Sequence, residues 1–194
     1  MLLDKGIIDV HAHILPGVDD GCRYIGETIE LLKLAYEQGV RGVIATPHYV
    51  RRHNRADADR LREKMQLVRE KAAVSLPEMK LYQGQEILYS DGVTEKLASG
   101  EILTLGETRY VLVEFMPGVP YNEIFLAVRS LIMSGYFPVL AHIERYQCLR
   151  KSEAIDELIH AGAYMQMNYR CLSRLKGLSE RNWCRKQVLE GRIH

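Results

Sequence analysis

Six side chains able to bind a metal stand at one kind of place in this chain, directly after a short apolar run. The run at 7–10 leads into His11 and His13, 42–46 into His48, 80–83 into Glu86, 110–113 into Glu114, and 138–141 into His142. Imidazole nitrogen with carboxylate oxygen is a donor set for manganese, iron or zinc, with magnesium also open. No cysteine shares these positions, which argues against a structural zinc site. Each residue also has a plainer reading. A lone HxH on a strand fits two histidines on opposite faces, His48 fits an ordinary loop, and the glutamates fit helix caps. Six residues at five separate strand ends, all of ligand types, favour a metal cluster.

Two further stretches bear on that cluster. Val18-Asp19-Asp20-Gly21 follows the HxH within one loop. One aspartate can reach over the site while the other makes an Asp-Gly turn or caps the next helix. Arg145 lies three residues beyond His142 and has the planar fork that grips two phosphate oxygens. A salt bridge is its alternative role. Arg51, Arg52, His53 and Arg55 form a local basic stretch that either attracts an anionic substrate or is simply solvated. Other phosphate chemistries lack their residues. No cysteine is followed six positions later by arginine, and neither a GxxxxGK[ST] loop nor a GxSxG elbow is present.

Converging these residues requires strands whose ends share a face. The apolar runs, with a further one at 164–167, are short and suit strands buried on both faces. Between them lie helical patterns at 27–37, 57–73, 123–133, 153–160 and 180–189, with Asn122, Ser152 and Ser179 as candidate N-caps. Strand and helix alternate about six times, which predicts an α/β fold with a parallel sheet, closed as a barrel whose C-terminal strand ends carry the active site. The 194 residues suit one domain, 1–194, with no linker or repeat. With 26 basic and 25 acidic side chains, nothing in the charge suggests nucleic acid or a membrane surface. The first residues, with Asp4 and Lys5, are too polar for a signal peptide, and no apolar run is long enough to span a bilayer. Cys22, Cys148, Cys171 and Cys184 are irregularly spaced and read as reduced thiols of a cytoplasmic protein.

The ordered set DVHAHILPGVDDG, ATPHY, GQEI, VLVEF and AHIERY resembles the polymerase and histidinol phosphatase (PHP) superfamily. Within it, the chain is similar to the bacterial protein-tyrosine phosphatases of capsular and exopolysaccharide gene clusters. The resemblance implies a distorted (β/α)7 barrel holding up to three metal ions, commonly manganese. It implies metal ligands at His11, His13, Asp20, His48, Glu86, Glu114 and His142, with Glu86 bridging metals. Arg145 would face the phosphate, and Arg145 and Glu86 are the residues expected to carry catalysis. The implied partner is a phosphotyrosine protein, the tyrosine-rich tail of a bacterial autokinase that controls polysaccharide export. The chain departs from the pattern in one respect. The family's last strand, which ends in Asp-x-His, has no counterpart after His142, so the barrel is expected to lack that strand here.

Three other readings stay open: a small-molecule phosphatase of histidinol-phosphatase type, a proofreading exonuclease, and a non-catalytic metal-binding module. The short chain and neutral charge count against the exonuclease. The oligomeric state is not legible.

Overall fold

The computed structural model describes residues 6–51, 57–173 and 177–194. Of the basic stretch, Arg51 is exposed in a turn, while Arg52, His53 and Arg55 lie outside the described residues, as do Asp4 and Lys5. The chain divides into two compact units, Met1–Leu112 and Val113–His194.

The first unit runs β1 (Ile7–Ala12), α1 (Ile25–Glu37), β2 (Val40–Ala45), β3 (His48–Tyr49), α2 (Ala58–Ser75), β4 (Lys80–Gln83), β5 (Glu86–Leu88) and α3 (Val93–Ser99). Its core gathers Leu32 of α1, Val43 and Ala45 of β2, and the Leu61, Met65, Val68 and Ala72 stripe of α2. That stripe is the i, i+3/i+4 pattern of an amphipathic helix. Asp57 starts α2 by accepting a hydrogen bond from the Arg60 backbone N–H at 2.9 Å. β1, β2 and β4 pair in parallel in that order, and β3 pairs in parallel with β5.

These two sets of strands are continuations of each other. β2 breaks at Thr46-Pro47 and resumes as β3; β4 breaks at Gly84-Gln85 and resumes as β5. Hydrogen bonds carry across the break. Gly84 N donates to Ala45 O at 2.8 Å, and Glu86 N donates to Pro47 O at 3.1 Å. Gly84 is needed there, because a Cβ would meet Leu105 Cδ2 at 2.8 Å and the Leu105 backbone at 3.2 Å. The matched breaks make His48 and Glu86 register partners. The pattern of apolar runs predicts two uninterrupted strands and misses this.

β6 (Tyr110–Glu114) crosses the boundary between the units. The second unit contains α4 (Tyr121–Met133), β7 (Phe137–Leu140), α5 (Ser152–His160), β8 (Tyr164–Met165) and α6 (Leu178–Leu189). β7 and β8 pair in parallel. Ile124, Val128, Leu131, Leu140, Ile155, Leu158 and Met165 are fully buried in it.

The α/β class with parallel pairing is thus present. Ring closure is not a property of either unit by itself. Asn122, Ser152 and Ser179 are not caps. α4, α5 and α6 start after Pro120, Lys151 and Gly177, so these side chains lie inside the first turn, and none of the three helices has a side-chain cap bond. For α4, Pro120 presets φ at −66° and takes over the boundary role. β1 also departs from expectation, with Ile7 and Ile8 46% and 58% exposed, because it is the outer strand of its sheet. Among the described residues no helix is long and apolar enough to cross a membrane. All four cysteines are free thiols, with Cys22, Cys171 and Cys184 buried.

Candidate metal centre

In the first unit, three expected ligands converge on a fourth, the Glu86 carboxylate. Glu86 opens β5 and is almost wholly buried. Its Oε1 is 3.1 Å from His11 Nε2, and its Oε2 is 3.1 Å from both His13 Nε2 and His48 Nδ1. His11 and His13 Nε2 are 3.4 Å apart. His48 therefore sits as close to Glu86 as the HxH pair does, a consequence of their shared strand register. The carboxylate has both oxygens engaged, the arrangement a bridging ligand requires.

The Asp-Asp loop divides its work, and the buried partner is the one the sequence reading left unassigned. Asp19 Oδ2 is 2.7 Å from His13 Nδ1 and accepts from the His48 backbone N–H at 3.1 Å. Its Oδ1 accepts from Gly21 N at 3.0 Å. Asp19 thus makes the turn and orients two metal-ligand candidates, as partners beyond the ligands commonly do. It does not cap α1, whose N-terminus has no side-chain cap. Asp20, highly exposed, places Oδ1 3.5 Å from His48 Nε2 and 3.9 Å from His13 Nδ1. A Cβ at Gly21 would lie 2.1 Å from His13 O, so only glycine lets this loop close against the histidine. His11, His13 and Glu86 form one group whose ligand atoms all lie within 4.8 Å, and His13, Asp20 and His48 form another.

The electrostatics fit a cation. Burial alone would push the His13 imidazolium pKa down. Hydrogen bonds and charge attraction from Asp19 and Glu86 outweigh it and raise the value to about 10. For Asp19, burial pushes upward, but the His13 hydrogen bond and the Gly21 and His48 amides hold it below the usual carboxylate range. The carboxylates therefore surround His13 with negative charge, which would favour a bound cation in place of the proton the imidazole otherwise holds. Nitrogen and oxygen donors without cysteine fit a divalent first-row ion.

The second unit holds the other expected residues. Glu114 ends β6, and its Oε2 is 3.2 Å from His142 Nε2. His142 follows β7 with a left-handed backbone, φ 37° and ψ 55°. That turn takes its N–H out of the strand ladder, and Gln166 Oε1 accepts it at 2.6 Å. Tyr146, fully buried, accepts from Phe115 N at 3.0 Å. Gln166 and Tyr146 were not singled out from sequence. Tyr146 stands in the AHIERY stretch, but nothing in its type marks it as a partner of His142. Arg145 is exposed and lines a cleft of about 660 Å³ with Glu144, Arg150, Asn168, Arg170 and Glu180. No Arg145 side-chain ion pair is found among the described residues.

Residues 7–194 match the CpsB/CapC model of capsular polysaccharide synthesis. The tyrosine-protein phosphatase CpsB of Streptococcus pneumoniae is 36% identical over 176 residues, 90% of this chain and 72% of that protein. A crystal structure from the pair YwqE of Bacillus subtilis and CpsB of S. pneumoniae, described as unique metal-dependent tyrosine phosphatases, superposes with a TM-score of 0.86. It is 31% identical and covers 97% of this chain and 76% of that one. The phosphotriesterase of Mycobacterium tuberculosis has a TM-score of 0.57 at 13% identity, covering 98% of this chain and 75% of its own, and shares the fold alone. With its model matched over nearly the whole sequence, this chain belongs to the CpsB/CapC family of capsular polysaccharide synthesis.

Proposed function

We propose that this protein is a metal-dependent protein-tyrosine phosphatase, hydrolysing phosphotyrosine on a protein that controls capsular or exopolysaccharide synthesis. The observation that carries this reading is the buried Glu86 carboxylate with His11, His13 and His48 each 3.1 Å from it, in a chain of this family. The finer parts of the reading are Mn2+ as the metal, a tyrosine autokinase tail as the substrate and a cytoplasmic location. The proposed ligand set is His11, His13, Asp20, His48, Glu86, Glu114 and His142. Metal ions held by these residues would supply a Lewis acid and an activated water. The chain's own residues hold the donors in place, and Arg145 orients the phosphate.

Phosphate release from a phosphotyrosine peptide tests the reading. Activity is expected with added Mn2+, and a chelator is expected to abolish it. Chelator-resistant hydrolysis would remove the metal, and turnover confined to small phosphate esters would favour the histidinol-phosphatase type.

Arg145→Lys is expected to lower kcat/KM by roughly 10- to 100-fold with metal content unchanged. Lysine keeps the charge but loses the two-pronged hydrogen bond, and such bonds to charged groups contribute about 1.5–3 kcal/mol. Equal activity, or loss of metal, would assign Arg145 to structure.

A further inference from the structure

We propose that the Tyr146 hydroxyl is a positioning group for the metal ligands of the second unit, locking His142 so that Nε2 is the nitrogen presented to the ion. This rests on the metal reading above and adds a residue to it. The 3-10 turn Ile143–Arg145 folds the chain back, with Arg145 N donating to His142 O at 2.9 Å and Tyr146 N to Ile143 O at 3.2 Å. Tyr146 is thereby brought under the histidine it follows by four residues. Its ring is fully buried, and a buried phenol hydroxyl needs partners. One is the Phe115 N–H, 3.0 Å away on the residue next to Glu114. His142 Nδ1 is also within reach, at 3.4 Å.

One oxygen is therefore tied to the strand end that carries Glu114 and to the ring of His142, whose far nitrogen faces Glu114 Oε2 at 3.2 Å. Phe115 stacks edge-on against Tyr146, with ring centroids 6.1 Å apart at 81°, and fixes the phenol from the side. The direction of this bond follows the His142 tautomer: once a cation takes the Nε2 lone pair, the proton sits on Nδ1 and the hydroxyl oxygen is the atom within reach to accept it. Metal-binding histidines are commonly oriented by such a partner on the other nitrogen. Gln166 does the corresponding work on the backbone by accepting the His142 N–H.

The test uses the full chain and Tyr146→Phe, which keeps the ring and removes the oxygen. Titrating metal-free protein with Mn2+ should show one class of site weakened by roughly 10- to 100-fold, the range for losing such a partner. The remaining sites should keep wild-type affinity, and the metal-free variant should still unfold cooperatively. A second measurement does not need the variant. Histidine 15N spectra of the wild type loaded with Zn2+ should show His142 protonated at Nδ1 and coordinated at Nε2. Unchanged Mn2+ affinity in Tyr146→Phe, or coordination through Nδ1, overturns the inference. If the wild type binds Mn2+ and hydrolyses phosphotyrosine while either of those results is found, only this inference falls. If the wild type binds no Mn2+, the proposed function falls with it.

Discussion

Glu86→Ala is expected to strip the protein of bound metal and lower phosphotyrosine hydrolysis by about 10³-fold or more. The carboxylate is the shared neighbour of His11, His13 and His48, with each contact at 3.1 Å. Without it, the three imidazoles face a common space with no negative charge from β5 to offset a cation. A metal's stabilisation of phosphoryl charge amounts to several kcal/mol, and each 1.36 kcal/mol is about tenfold in rate. Stability of the metal-free chain should fall as well. Removing one member of a buried charged pair costs about 3–5 kcal/mol, and Glu86 helps hold the proton on His13. Metal analysis, a phosphatase assay and denaturant unfolding read the three effects. Wild-type metal content in Glu86→Ala would place the ions elsewhere.

Asp19→Ala is the second large effect, and it should appear first in stability. The substitution leaves the Gly21 and His48 amides without their acceptor and frees His13 Nδ1. An abandoned buried donor costs about 1–3 kcal/mol, so a loss of roughly 3 kcal/mol or more is expected. His13 then turns freely, and metal affinity should drop about 10- to 100-fold. Asp20→Ala is the control. Its exposed side chain should change stability by about 0.5 kcal/mol or less while weakening only the ion near His48 and His13. Denaturant unfolding and Mn2+ titration of both variants separate the roles. Equal destabilisation by the two would refute the division of labour.

Much of the site was legible because its residues obey one rule: a ligand type directly after a buried apolar run. β4 (Lys80–Gln83) and β6 (Tyr110–Glu114) lie where the apolar runs place them, and α2 carries the predicted Leu61, Met65, Val68 and Ala72 stripe. The two-residue segments β3 and the short β5 were not legible, since His48-Tyr49 has no periodicity to detect and their pairing depends on a distant strand. α3 (Val93–Ser99) is too short for a helical pattern to stand out. Residue type alone could not tell the Asp19 and Asp20 roles apart, because what separates them is burial; only the family resemblance pointed to Asp20. The helix caps failed for a related reason: Ser and Asn favour N-caps, but the helices began one or two residues earlier, at Pro120, Lys151 and Gly177.

The left-handed backbone of His142 also restricts how this position can change by mutation. A single base change in a histidine codon reaches Tyr, Asn, Asp, Gln, Leu, Pro or Arg. Proline cannot adopt the observed φ of 37°. Tyr, Gln, Leu and Arg would carry a left-handed penalty of about 1–2 kcal/mol. Asn and Asp accept that conformation readily, but neither brings an imidazole. Aspartate alone among them keeps both the backbone and a charged ligand atom, on a side chain too short to span from Glu114 to Tyr146. No one-step neighbour retains everything the fold asks of this residue, so drift at position 142 runs through loss of the imidazole.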